Sequence, residues 1–135
     1  MNEIVIDGTN GVMGRIASYS AKQALMGKKV IIVNVNKVIV IGRKEEIVAK
    51  YKDLIQKGGS SLKGPKIIRT PERILKRVAR GMLSHKQDRG RDALKRIICY
   101  NEVPEKYKES EKKDIFKNNQ YQKAITLKEL VSKLK

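Results

Sequence analysis

The sequence predicts an α/β fold built on parallel strands, and three observations carry that expectation. EIVID (3–7) is a short apolar run that ends at a cluster of three glycines, Gly8, Gly11 and Gly14. KVIIVNV (29–35) and VIVIG (38–42) are β-branched and almost wholly apolar, the pattern of strands covered on both faces. Between the first two runs lies a stretch of helical period, so the chain opens strand, helix, strand, an order whose crossover is expected to be right-handed.

The elements follow in order. Residues 12–26 form a helix with Ile16, Ala17, Ser20, Ala21, Ala24 and Leu25 on one small-residue face. Thr9 or Asn10 suits its start and Gly27 its end. A second helix is expected over 43–57, with Ile47, Val48, Tyr51, Leu54 and Ile55 inward. KGGSSLKGPK (57–66) has loop composition. Thr70, Pro71 and Glu72 mark the start of the best-defined helix, 70–83, as cap, first helical residue and dipole-matched acid. A polar loop (84–90), a short helix (91–96) and a fourth strand, IICY (97–100), come next. Residues 101–125 are polar and mostly irregular. TLKELVSKL (126–134) closes as a helix, with Thr126 and Glu129 as a capping box and Leu127, Leu130, Val131 and Leu134 as its docking face. Met13, Met26 and Met82 are expected to fill the core. With 135 residues the chain suits one domain, with no internal repeat.

Charge dominates the composition: 31 Lys and Arg stand against 14 Asp and Glu, a net of +17. That much self-repulsion opposes compaction unless a polyanion relieves it. Residues 58–100 alone carry +9 of it, so the anion is expected there. No apolar run approaches the ~20 residues of a membrane-crossing helix. MNEIVID lacks the basic-then-apolar layout of a secretory signal, so a cytoplasmic setting is expected. One cysteine, Cys99, allows no internal disulfide, and with the lone His85 it makes no usual zinc site. No carboxylate pair suits acid–base work, and His85 sits in a basic loop where a solvated or phosphate-facing role is expected. Neither a catalytic residue, a cofactor nor a metal is expected.

Three roles are open for the glycine turn. Glycines after a strand let backbone approach a phosphate, and helix amides attract its charge. A dinucleotide site also needs an acidic residue about 20 positions on, where this chain has Asn34 and Asn36. The alternatives are a tight structural turn, or a turn that meets nucleic-acid backbone with Arg15 as its charge.

The helix from 70 to 83 divides cleanly at ~100° per residue. Ile74, Leu75, Val78, Ala79, Met82 and Leu83 take one side; Arg73, Lys76, Arg77 and Arg80 take the other. No acidic residue at i+4 neutralises the arginines, and the planar guanidinium fork suits phosphate. Lys63, Lys66 and Arg69 precede the helix, and Lys86, Arg89, Arg91, Lys95 and Arg96 follow it. No zinc spacing or other DNA-docking signature is present. Five Tyr and one Phe are too few for a base-stacking platform. Recognition of a folded RNA through its phosphates and 2′-hydroxyls is what these residues fit best.

GVMGRIAS (11–18), GKKVIIVNVNKVIVIG (27–42), GPKIIRTPERILKRVARGMLSHK (64–86) and RGRDALKRIICYNEVP (89–104) together resemble the large-subunit ribosomal protein L-thirteen family, in its archaeal and eukaryotic form. The resemblance covers roughly residues 4–104. It implies a three-layer α/β/α domain with a four-stranded parallel sheet over 1–104, to which 105–135 adds a C-terminal helical extension. It implies a structural, non-catalytic role in the large subunit, with ribosomal RNA and neighbouring ribosomal proteins as partners and no small-molecule substrate. The residues expected to contact RNA are Arg15, Arg43, Lys44, Lys63, Lys66, Arg69, Arg73, Arg77, Arg80, Lys86, Arg89, Arg91 and Arg96.

Overall fold

A computed structural model describes residues 3–56, 70–113 and 123–134. The expected loop 57–66, with Lys63, Lys66 and the nearby Arg69, lies outside them. The elements are β1 (Glu3–Asp7), α1 (Met13–Leu25), β2 (Lys29–Val33), β3 (Ile39–Ile41), α2 (Lys44–Gln56), α3 (Pro71–Gly81), α4 (Asp88–Lys95), β4 (Ile97–Cys99), β5 (Ala124–Thr126) and α5 (Leu127–Leu134).

The parallel sheet has three strands in the order β1–β2–β4, not four. Glu3 to Asp7 pair with Lys29 to Val33, and Val30, Ile31 and Ile32 pair with Ile97, Ile98 and Cys99. The strand expected over 38–42 leaves this sheet. Asn34, in the left-handed region at φ 58°, ends β2, and a 3-10 turn over Val35–Lys37 redirects the chain. β3 then pairs antiparallel with β5, a strand inside the stretch expected to be irregular. The Ile39 amide donates to the Gly11 carbonyl at 2.9 Å, which keeps β3 beside the glycine turn.

The alternation of side chains along the strands separates two clusters. Ile4, Ile6, Val30, Ile32 and Ile97 belong to the main core, to which α1, α3, α4 and α5 contribute buried residues. From α2, Ile47, Val48, Tyr51 and Ile55 pack against it half-buried; none of that helix's residues is fully buried. Val5, Ile31 and Val33 face the other way and are covered by Tyr107, with Ile98, Tyr100 and Val103. Among the described residues no α-helix joins this second cluster; Tyr107 comes from a 3-10 turn over Glu105–Tyr107. The helices thus lie to one side of the sheet, and an irregular strap over 100–107 covers the other, instead of a second helical layer. Strands with both faces covered read as continuously apolar whichever kind of cover they have.

Several boundaries also differ. α4 begins at Asp88, three residues before expectation, because Gln87 caps it in extended conformation and Gly90 packs inside it. The docking face of α5 is buried as expected, and Thr126 Oγ1 accepts from the Glu129 amide at 3.2 Å. The Glu129 carboxylate does not complete the capping box; it turns to Lys44 at 3.1 Å and Lys133 at 3.7 Å. Met13 is buried, but Met26 and Met82 are exposed. Each follows the last residue of its helix, where the 100° step no longer directs a side chain inward.

Candidate nucleic-acid interface

α3 is built to be held from one side. Pro71 occupies its first turn and Glu72 faces the positive end of the dipole. Thr70 sits at the cap position, yet its hydroxyl makes no cap bond and is buried without a partner among the described residues. Ile74, Leu75 and Ala79 are buried with Leu83, and Val78 is half-buried. Burying an Ile or Leu contributes roughly 1.5–3 kcal/mol, so the inner side fixes the helix and its outward direction. Arg73, Arg77 and Arg80 are exposed on the outer side. Their steps along the axis are about 6 and 4.5 Å at 1.5 Å per residue. Lys76 is half-buried, near Cys99; Arg77 lies near Tyr51 of α2.

The expected RNA-contacting residues separate by what else they touch. Among the described residues, Arg15, Arg73, Arg77, Arg80, Lys86 and Arg89 are exposed and form no ion pair with a carboxylate. Four others are engaged. Arg43 stands 3.8 Å from Glu46, and Lys44 3.1 Å from Glu129. Arg91 pairs with Asp88 on the first turn of α4. Arg96 is half-buried and donates through Nη1 to the Ala24 carbonyl at 2.8 Å, capping the end of α1. That carbonyl also accepts from the Gly27 amide at 3.0 Å, so the guanidinium adds a second donor there and matches the negative pole of the helix.

These groups do not form one patch. Arg80, Lys86 and Arg89 run through the α3–α4 turn. Arg15 lies on the first turns of α1, about 15 Å along that helix from Leu25, and Leu25 shares a hollow with Arg89. Arg43 and Lys44 border a separate cavity of about 390 Å³ with Gly42, Glu45 and Lys123. His85 is half-buried, with Nδ1 lacking a partner among the described residues.

The glycine turn is occupied by the protein itself. The Gly8 amide donates to Val33, Asn10 to Lys37 and Gly11 to Gly8, at 2.9, 3.1 and 2.9 Å. The Thr9 amide and hydroxyl both donate to Asp7 Oδ1, which also accepts from Asn34 Nδ2 at 3.0 Å. Four consecutive amides are thus bonded internally and are not aimed at a pyrophosphate. A Cβ on Gly8 would come within 2.6 Å of Val38, and one on Gly11 within 2.3 Å of Ile16. These two glycines serve close packing. Gly14 faces open space beside Arg15.

Leu25, assigned to the inner face of its helix, and Met26 and Met82, expected in the core, are exposed instead, because apolar residues near a helix end read as core in sequence. Among the described residues no group of His, Cys, Asp and Glu is arranged to hold a metal, and no helix is long and apolar enough to cross a membrane.

Comparison with known proteins agrees with this chemistry. The family model described as Ribosomal protein L13 matches residues 1–106. The large ribosomal subunit protein uL13 of Picrophilus torridus is 46% identical over 101 residues, covering 75% of this chain and 72% of that protein. Its counterpart from Archaeoglobus fulgidus is 43% identical over 101 residues, and the match covers 75% of this chain and 64% of that longer protein. The Thermoplasma volcanium protein of the same name is 39% identical over 132 residues, 96% of both chains. A match over most of the chain, to relatives that share one name, establishes the kinship: the chain belongs to the ribosomal protein L13 family.

Proposed function

We propose that this chain is a structural, non-catalytic component of the large ribosomal subunit, working in the cytoplasm, and that it binds folded ribosomal RNA mainly through α3. The observation that carries this is the state of Arg73, Arg77 and Arg80: exposed, without carboxylate partners among the described residues, and mounted on a helix whose other side is locked into the core. Such guanidinium groups are presented to phosphate at little cost in ordering. Lys86 and Arg89 extend the charge past the helix, and Arg15 supplies a second point of contact beside Gly14. Lys63, Lys66 and Arg69, which precede α3 in the sequence, belong to the same proposed set. Arg43, Lys44 and Arg91 contribute less, because each must first leave a carboxylate. Arg96 serves the fold. Phosphate contacts of this kind fix position without reading sequence, as suits a protein whose target is a folded RNA. The names of the relatives, all large ribosomal subunit proteins, support the same setting, with other ribosomal proteins as neighbours.

The test is a salt titration of binding to protein-free large-subunit RNA. The logarithm of affinity is expected to fall linearly with the logarithm of salt, at a slope of about −0.7 to −0.9 per phosphate neutralised. A flat response, or saturable calorimetric binding of a mononucleotide or dinucleotide instead of RNA, would overturn the proposal.

A further inference from the structure

The C-terminal ends of α1 and α3 carry apolar surface that the fold does not use. Among the described residues the exposed large hydrophobics are Leu25 at 36%, Ile41 at 39%, Met82 at 45% and Met26 at 61%; all but Ile41 sit at these two helix ends. Leu25 and Met82 line one hollow of about 180 Å³ with Ser84, Gln87, Arg89 and Gly90. Scattered apolar residues on a surface are ordinary, whereas two that share one hollow, with Met26 next to Leu25 in the chain, point to a contact site.

The hollow is preformed. Gly90 is buried in α4 so close under the chain that a Cβ there would lie 2.1 Å from the Ser84 carbonyl oxygen. Next to Leu25, the Ala24 carbonyl is held by Arg96, which ties the end of α4 to the end of α1. The walls therefore need little ordering when something binds.

Its chemistry separates protein from RNA. A phosphate offers nothing to Leu25 or to the Met82 thioether, and no aromatic ring lines the hollow for a base to stack upon. Methionines adapt their shape to apolar side chains of a protein partner. The rim is cationic. Lys22, outside the set proposed for RNA, is exposed on α1 at i−3 from Leu25 and i−4 from Met26, on the same face; Arg89, at the lip, marks where the hollow borders the RNA-binding set. Charge complementarity selects a partner with carboxylates around its apolar anchor.

We propose that this hollow docks a neighbouring protein of the same particle, which inserts one large aliphatic side chain flanked by acidic residues. The inference rests on the ribosomal placement above, and it assigns the ends of α1 and α3 to protein where the outer face of α3 meets RNA.

The test uses the full chain with Leu25→Ser and Met82→Ser together, measured on protein-free large-subunit RNA and on large-subunit particles lacking only this chain. Affinity for the free RNA is expected to stay within twofold, and affinity for the particles to fall at least tenfold. A photoreactive residue replacing Met82 is expected to crosslink to a protein in the particle. If the double variant proves unfolded by circular dichroism, Lys22→Glu takes its place with the same selective loss expected. Equal affinity on particles, equal loss on both targets, or crosslinking to RNA or to a second copy of this chain would overturn the inference. Failure of the unaltered chain to bind free RNA would instead count against the ribosomal placement, which keeps the two failures distinct.

Discussion

Gly11 and Gly14 look alike in the sequence and do different things. A Cβ on Gly11 would meet Ile16 at 2.3 Å, while one on Gly14 would meet nothing within 4 Å. Gly11→Ala is expected to destabilise the fold by about 1–3 kcal/mol through overpacking. Gly14→Ala is expected to stabilise α1 by up to about 1 kcal/mol. Denaturant midpoints check both, and equal effects would contradict the distinction. Spacing alone left the turn's role open, because nothing in G-x-x-G-x-x-G reveals where its amides point. Cys99 reads in the sequence as a small buried hydrophobe, and the fold packs it half-buried against the core. Burial pushes its thiol from 9.0 up to about 12, with Glu72 adding to the rise and Lys76 opposing it. At pH 8 its reaction with a thiol reagent is expected to be about a thousandfold slower in the native chain than in denaturant, since the thiolate is the reacting form and its fraction falls by that factor. The folded value lies above the unfolded one, so this contribution to stability is whole below pH 9 and is lost as the pH rises towards about 12. The stability difference between the unaltered chain and Cys99→Val is expected to shrink in that direction only.

Helical period was the strong signal at the scale of elements, and it served best where a helix has one wet side. α3 and α5 bury the residues their wheels assigned inward, apart from the half-buried Val78 and from Met82 past the end of α3. Short strands were the weak signal. β5 has three residues in a polar stretch, too few to show alternation, so the antiparallel partner of β3 was illegible and β3 was assigned to the parallel sheet. The strap over 100–107 was hidden for a related reason: Val103 and Tyr107 cover the sheet from irregular chain with no period to detect. Arg96 shows how a charge run misleads. It was grouped with the cations that follow α3, yet it holds the carbonyl at the end of α1. Arg96→Ala is expected to cost about 1.5–3 kcal/mol of stability, the range for a hydrogen bond to a charged group, while RNA affinity stays within twofold. Lost affinity without lost stability would return Arg96 to the RNA-binding set.

For the molecule as a whole, a net charge of +17 opposes its own folding and favours a polyanion. Composition alone points to a polyanion as the partner. It does not point to which cations remain available, because pairing with carboxylates and carbonyls is decided by tertiary structure. Of the described cations expected to meet RNA, Arg43, Lys44 and Arg91 pair with acids and Arg96 with backbone. The outer face of α3 keeps its arginines free of such partners, and the RNA-binding proposal stands or falls there. The decisive measurement is the salt dependence of rRNA binding by the chain carrying Arg77→Glu and Arg80→Glu, both exposed and outside the core. Weaker binding is expected at low salt, with a log–log slope shallower by about two, one for each phosphate contact removed, and an unchanged denaturation midpoint. Unaltered affinity and slope in a folded double variant would contradict the placement of RNA on α3.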